Sequence, residues 1–150
     1  MTTDERLAEL TQEVANHLSG RPVEIRWRNP PSKFAAGQVV KSLDNRLIVY
    51  VANLTDADSR LKVLLHELSH AANDFDFIPV TGERASGSVR QSPEARKIWR
   101  EDNREIRAKK QADEWMDHAE LYAYKYWQVG RSKMECQLLA LLDIKTGESI

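Results

Sequence analysis

The stretch "LLHELSH", residues 64 to 70, sets His66, Glu67 and His70 inside a run of leucines. On an α-helix the two histidines project from one face about one turn apart. Two imidazole nitrogens so placed can share one Zn2+. Glu67, one step round the helix, can then take a proton from water at the metal's open position. The bland alternative is a pair of core histidines beside a surface glutamate. It requires a hydrogen-bond partner for each polar group in an apolar segment, and is costly without one.

The elements around this stretch follow from the apolar spacing. Leu7, Leu10, Val14 and Leu18 recur at helical intervals, so residues 3–19 read as a helix capped by Thr2 with Glu5 and stopped by Gly20 and Pro22. "VEIRW" (23–27) reads as a strand, and "NPPSKFAAG" (29–37) as a loop. Residues 38–41 and 47–51 form a hairpin about Asp44-Asn45. The motif helix starts at Thr55 with Asp56 and Asp58, and ends before Pro79. Residues 73–92 show turn chemistry and little periodicity. Ser92-Pro93-Glu94 opens a further helical region, 93–129, that the polar run 100–111 should break or bend. Ser132 and Glu135 cap a last helix over "MECQLLALL".

With 150 residues, a formal net charge of −1 and one cysteine (Cys136), the chain reads as a single domain over 1–150 without a disulfide framework. Overall charge gives no general affinity for polyanions. No apolar run approaches the ~20 residues of a membrane span, and the first turn is polar. The expectation is therefore no membrane association, no signal peptide and a cytoplasmic location.

"LKVLLHELSHA" resembles the zincin metallopeptidases, and within them the glutamate-ligand group, the gluzincins. It looks like the ImmA/IrrE-type branch and the small zincin domains of phage and mobile elements. A second likeness is to toxin-type zincins related to lethal factor, whose order of motifs is loosely followed by Asp74, "SPEARKIWRED" and "AELYAYKYW". The resemblance covers about residues 23 to 127. It implies an α+β, zincin-like fold: an N-terminal helix, a small, mainly antiparallel sheet with a hairpin, the HExxH helix, then C-terminal helices. It also implies a zinc-dependent endopeptidase acting on an extended protein or peptide substrate paired to the sheet edge.

The third metal ligand in these families is a glutamate followed three residues later by alanine, whose small side chain lets two helices approach. Here the pattern occurs at Glu120-Leu-Tyr-Ala123 and again at Glu105-Ile-Arg-Ala108. The second copy lies in the most basic part of the chain, where burial is not expected, so the expected set is His66, His70 and Glu120 with Glu67 as base. Asp113 is the reserve, and Asp113 or Asp117 can orient a histidine. Asp76 becomes the ligand if "HELSHAANDFD" is instead metzincin-like, although no segment supplies a Met-turn. An acidic stripe exposed to solvent is the alternative for Asp113, Asp117 and Glu120.

His118 and His17 read as packing and helix-end residues, and Tyr122, Tyr124 and Tyr126 alternate in position, so they cannot all face one site. Arg96, Arg100, Arg104 and Arg107 recur at helical spacing within the basic stretch 84–110. A solvated face is the expected reading there. The rival is a non-catalytic zincin-fold module that binds protein or nucleic acid through this stretch, although no recognised nucleic-acid motif accompanies it.

Overall fold

The computed structural model describes residues 2–32, 35–80 and 102–145. Helix α1 (Thr3–Ser19) starts where the Thr2 hydroxyl accepts the Glu5 N–H at 3.1 Å, and ends on Gly20 at φ 71°. Strands β1 (Val23–Arg26), β2 (Gly37–Lys41) and β3 (Leu47–Val51) follow. Helix α2 (Ala57–Asn73) is capped by Asp56, one residue after the expected start, and a 3-10 turn spans Phe75–Phe77. Helix α3 (Asn103–Tyr122) has Asp102 as cap and runs on into a 3-10 turn, Ala123–Tyr126. Helix α4 (Lys133–Leu142) is capped by Ser132, whose hydroxyl accepts the Glu135 N–H at 3.2 Å. No helix among the described residues is long and apolar enough to cross a membrane.

The α+β class holds, but the sheet is mixed rather than mainly antiparallel. Its order is β1-β3-β2, with β2 antiparallel and β1 parallel to β3. A tight turn with Asn45 at φ 64° closes the β2–β3 hairpin. β1 reaches the other side of β3 through the longer connection after Arg26, which allows a parallel pairing. On β3, Leu47, Val49 and Val51 face the main core, where they meet Val14 and Leu18 of α1, Leu61, Leu64, Leu65 and Leu68 of α2, and Leu138 and Leu141 of α4. Ile48 and Tyr50 face the opposite side with Val40, so side chains alternate as a pleated strand requires.

Helix α3 starts inside the polar run 100–111, on the extended cap Asp102, and Asn103–Tyr122 is continuous from there. Ala108, Ala112, Trp115 and Ala119 form its buried stripe at helical intervals, while the charged residues occupy the flanks. The expected opening at Ser92-Pro93-Glu94 lies outside the described residues.

Candidate metal centre

Helices α2 and α3 pack against each other, and side-chain pairs join them along α2. Lys62 meets Asp113 at 3.1 Å, whereas Asn73, at the other end of α2, donates to the Gln111 side chain at 3.0 Å and Asp74 meets Arg107. Between these contacts, the Glu105 carboxylate lies across both histidines of the motif. One oxygen pairs with His66 Nε2 and the other with His70 Nε2 at 2.9 Å. The imidazole rings stand 5.0 Å apart, edge to face.

His70 is held from both sides. Its Nδ1 lies 2.8 Å from Asp74 Oδ2, and its main-chain carbonyl accepts the Asp74 N–H at 2.8 Å. A proton on Nδ1 directed at Asp74 leaves Nε2 as the nitrogen offered to an ion. Burial would push the His70 imidazole down. Hydrogen bonds to Glu105 and Asp74, with the charges of Glu67 and Glu105, instead raise it to about 9. Burial likewise opposes ionisation of Glu105, yet the hydrogen bonds from His66 and His70 and their charge bring it down to about 2. The Glu105 carboxylate therefore favours its ionised form beside an imidazole, His70, that holds its proton more tightly than a free one.

Glu67 is buried on the same helix. Burial pushes its carboxyl above the usual range, opposed by the two histidines and a backbone hydrogen bond from Val39, and reinforced by the charge of Glu105. This contact puts Glu67 at the outer edge of β2. The bonds Ala52 N–H to Ala36 O and Ser42 N–H to Arg46 O fix the ladder's alternation. Gly37, Val39 and Lys41 therefore turn their backbone groups away from β3. The Lys41 N–H is taken by Pro79 O at 2.8 Å, where Val80 forms a parallel bridge. Gly37 lies so close to α2 that a Cβ there would stand 2.6 Å from Val63 Cγ1 and 3.1 Å from Glu67 Cγ.

The donor set suits a metal ion. One atom each from His66, His70 and Glu105 lies within 4.8 Å of the others, and this is the one such group among the described residues. Two imidazoles and a carboxylate are the ligand types of catalytic zinc sites. Glu105 thus takes the position expected of Glu120. Glu120 is exposed on the same helix, fifteen residues further on and about 22 Å away by helical rise. Asp113 pairs with Lys62 at the surface, and Asp76 and Asp117 are exposed. The basic neighbourhood that argued against Glu105 is real, but its charges point elsewhere. Arg104 pairs with Asp102 and lies over the Phe77 ring, and Arg107 pairs with Asp74. Arg96 and Arg100 lie outside the described residues.

The remaining candidates have structural partners. His118 Nε2 lies 3.1 Å from Ala140 O with its ring against Tyr122, and His17 Nε2 meets Ile144 O. The Tyr126 hydroxyl donates to Asp143, and Tyr124 is exposed. Sequence reasoning ranks Glu105 below Glu120 and does not reveal the Asp74–Arg107 pair. The Glu-x-x-Ala pattern pointed to Glu105 as well as to Glu120, and burial of Ala108 decides between them. No family model, no curated protein and no solved structure matches this chain.

Proposed function

We propose that the chain is a zincin-type, zinc-dependent peptidase in which His66, His70 and Glu105 hold the metal and Glu67 is the general base. The observation that carries the reading is the convergence of Glu105 on both motif histidines, with Glu67 buried beside them at the outer edge of β2. Zinc, when bound, supplies a Lewis acid that acidifies water and polarises a carbonyl.

The chain's own residues do the rest. Glu67 accepts the proton of the attacking water and returns it to the leaving amine. Its burial raises the carboxyl above the usual carboxylate range, which makes it a stronger proton acceptor. Asp74 fixes the His70 ring so that Nε2 faces the centre. An extended peptide can add to the outer side of β2 at Gly37 and the Val39 carbonyl, which favours peptides over compact substrates. That pairing is bounded at Lys41 by Pro79.

The test is digestion of a mixed peptide library by protein of measured zinc content, with and without chelator. The expected result is one equivalent of zinc and cleavage that chelation abolishes and zinc restores. Zinc-loaded protein that cleaves no peptide would remove the peptidase reading, and absence of bound zinc would remove the metal reading with it.

A further inference from the structure

We infer that Arg107 is a positioning residue for the metal centre, acting through Asp74 on His70. The inference rests on the zinc reading above but not on peptide hydrolysis. Arg107 Nη1 donates to Asp74 Oδ1 at 3.0 Å and Nη2 donates to Oδ2, the same oxygen that faces His70 Nδ1 at 2.8 Å. The guanidinium fork therefore grips both oxygens of a buried carboxylate whose remaining partner is a metal ligand.

The geometry makes this more than a surface ion pair. Asp74 is 5 % exposed, so its charge is shielded from water and its orientation depends on its protein partners. A carboxylate on Nδ1 sets the tautomer and ring direction of a ligating histidine, which tunes affinity for the ion. Arg107 follows Glu105 by two residues on the first turns of α3. On the helical wheel they fall on opposite flanks of the buried Ala108–Ala112 stripe. One flank delivers a ligand to His66 and His70; the other delivers the fork to Asp74. Ligand and clamp are thus set by a single docking of α3 on α2, and a shift of α3 that loosened one would loosen the other.

The experiment measures zinc affinity by chelator competition for wild type, Asp74→Asn, Arg107→Gln, Arg107→Lys and the double variant Asp74→Asn/Arg107→Gln. Thermal melts of the metal-free proteins and the visible bands of the Co2+ forms accompany it. Asp74→Asn should weaken zinc by about 10–100-fold. Arg107→Gln should weaken it by a smaller factor and shift the Co2+ bands. Arg107→Lys, with charge but no fork, should recover part of the loss. The double variant should bind no more weakly than Asp74→Asn, because Arg107 acts through Asp74. Wild-type affinity and bands in folded Arg107→Gln, or additive losses in the double variant, would overturn the inference. Should Arg107→Gln not fold, unaltered affinity and Co2+ bands in Arg107→Lys would overturn it equally. A wild type that holds zinc but cleaves nothing would leave it standing while the peptidase reading falls.

Discussion

Ala108 is fully buried one turn beyond Glu105, on the side of α3 that packs against α2. A small side chain at this position suits the close approach of α3 to α2 that the Glu105 contacts with both histidines need. Ala108→Leu should therefore lower stability by about 1–3 kcal/mol through overpacking. It should also weaken zinc binding although no ligand is altered. A melting curve and a chelator titration check the two parts, and full zinc affinity in a folded Ala108→Leu protein would contradict the second.

The two Glu-x-x-Ala copies can be separated directly. Glu105→Ala should lose stoichiometric zinc, since two histidines alone seldom hold the ion. Glu120→Ala removes an exposed side chain and should leave zinc content and melting temperature within error. Metal analysis after gel filtration reads the result, and the reverse ranking would return the ligand to Glu120.

Glu67→Gln should keep zinc and fold while turnover falls by about 10²–10⁴-fold, the usual contribution of a general base. Steady-state rates on a cleaved peptide, set beside zinc content, are the measurement. Unchanged turnover would require another proton acceptor.

Zinc binding should release protons. In the metal-free protein His70 titrates at about 9, raised above its ordinary 6.5. The stability this gives the metal-free fold is complete below about pH 6.5 and disappears as pH rises through about 9. The ion requires neutral imidazole, so below about pH 9 it must displace that proton, and its affinity should climb with pH up to there. Calorimetry at pH 7 in buffers of different ionisation heat should show a release approaching one proton from His70. An affinity that is flat between pH 6 and 8.5 would refute this.

Gly37→Ala should cost about 1–3 kcal/mol, because the new methyl meets Val63 at 2.6 Å and its relief requires β2 or α2 to move. Since Glu67 is the other neighbour, at 3.1 Å, turnover should drop more than zinc affinity does. Equal losses in both would place the disturbance in the α2–α3 packing instead.

The parts of this structure that follow local rules were legible in the sequence. Thr2, Gly20 and Ser132 mark helix ends by cap chemistry, Asn45 marks the hairpin turn, and His66 and His70 share a face through helical spacing alone. The parallel pairing of β1 was not, because strand order is set by packing across the chain rather than by the strands themselves. Glu105 ranks below Glu120 in the sequence for a related reason. The polarity of residues 100–111 was averaged along the chain, while burial is decided around the helix. Ala108 and Ala112 lie inward and the neighbouring Arg104 and Arg107 lie on the flank. Asp74 was legible as an acid after the motif, but its task depends on Arg107, 33 residues away.

His70 and Glu105 are separated by 35 residues of chain. An ion held between them is therefore also a tether, closing a loop whose ends would otherwise be joined by packing and hydrogen bonds alone. Such a clip restricts the unfolded chain as well as completing the folded one. With zinc bound as proposed, the stability of the fold would depend on free zinc, rising by about 2.7 kcal/mol when the ion stands at a hundred times its dissociation constant. Zinc supply would then set how much folded protein exists before it sets how fast that protein works.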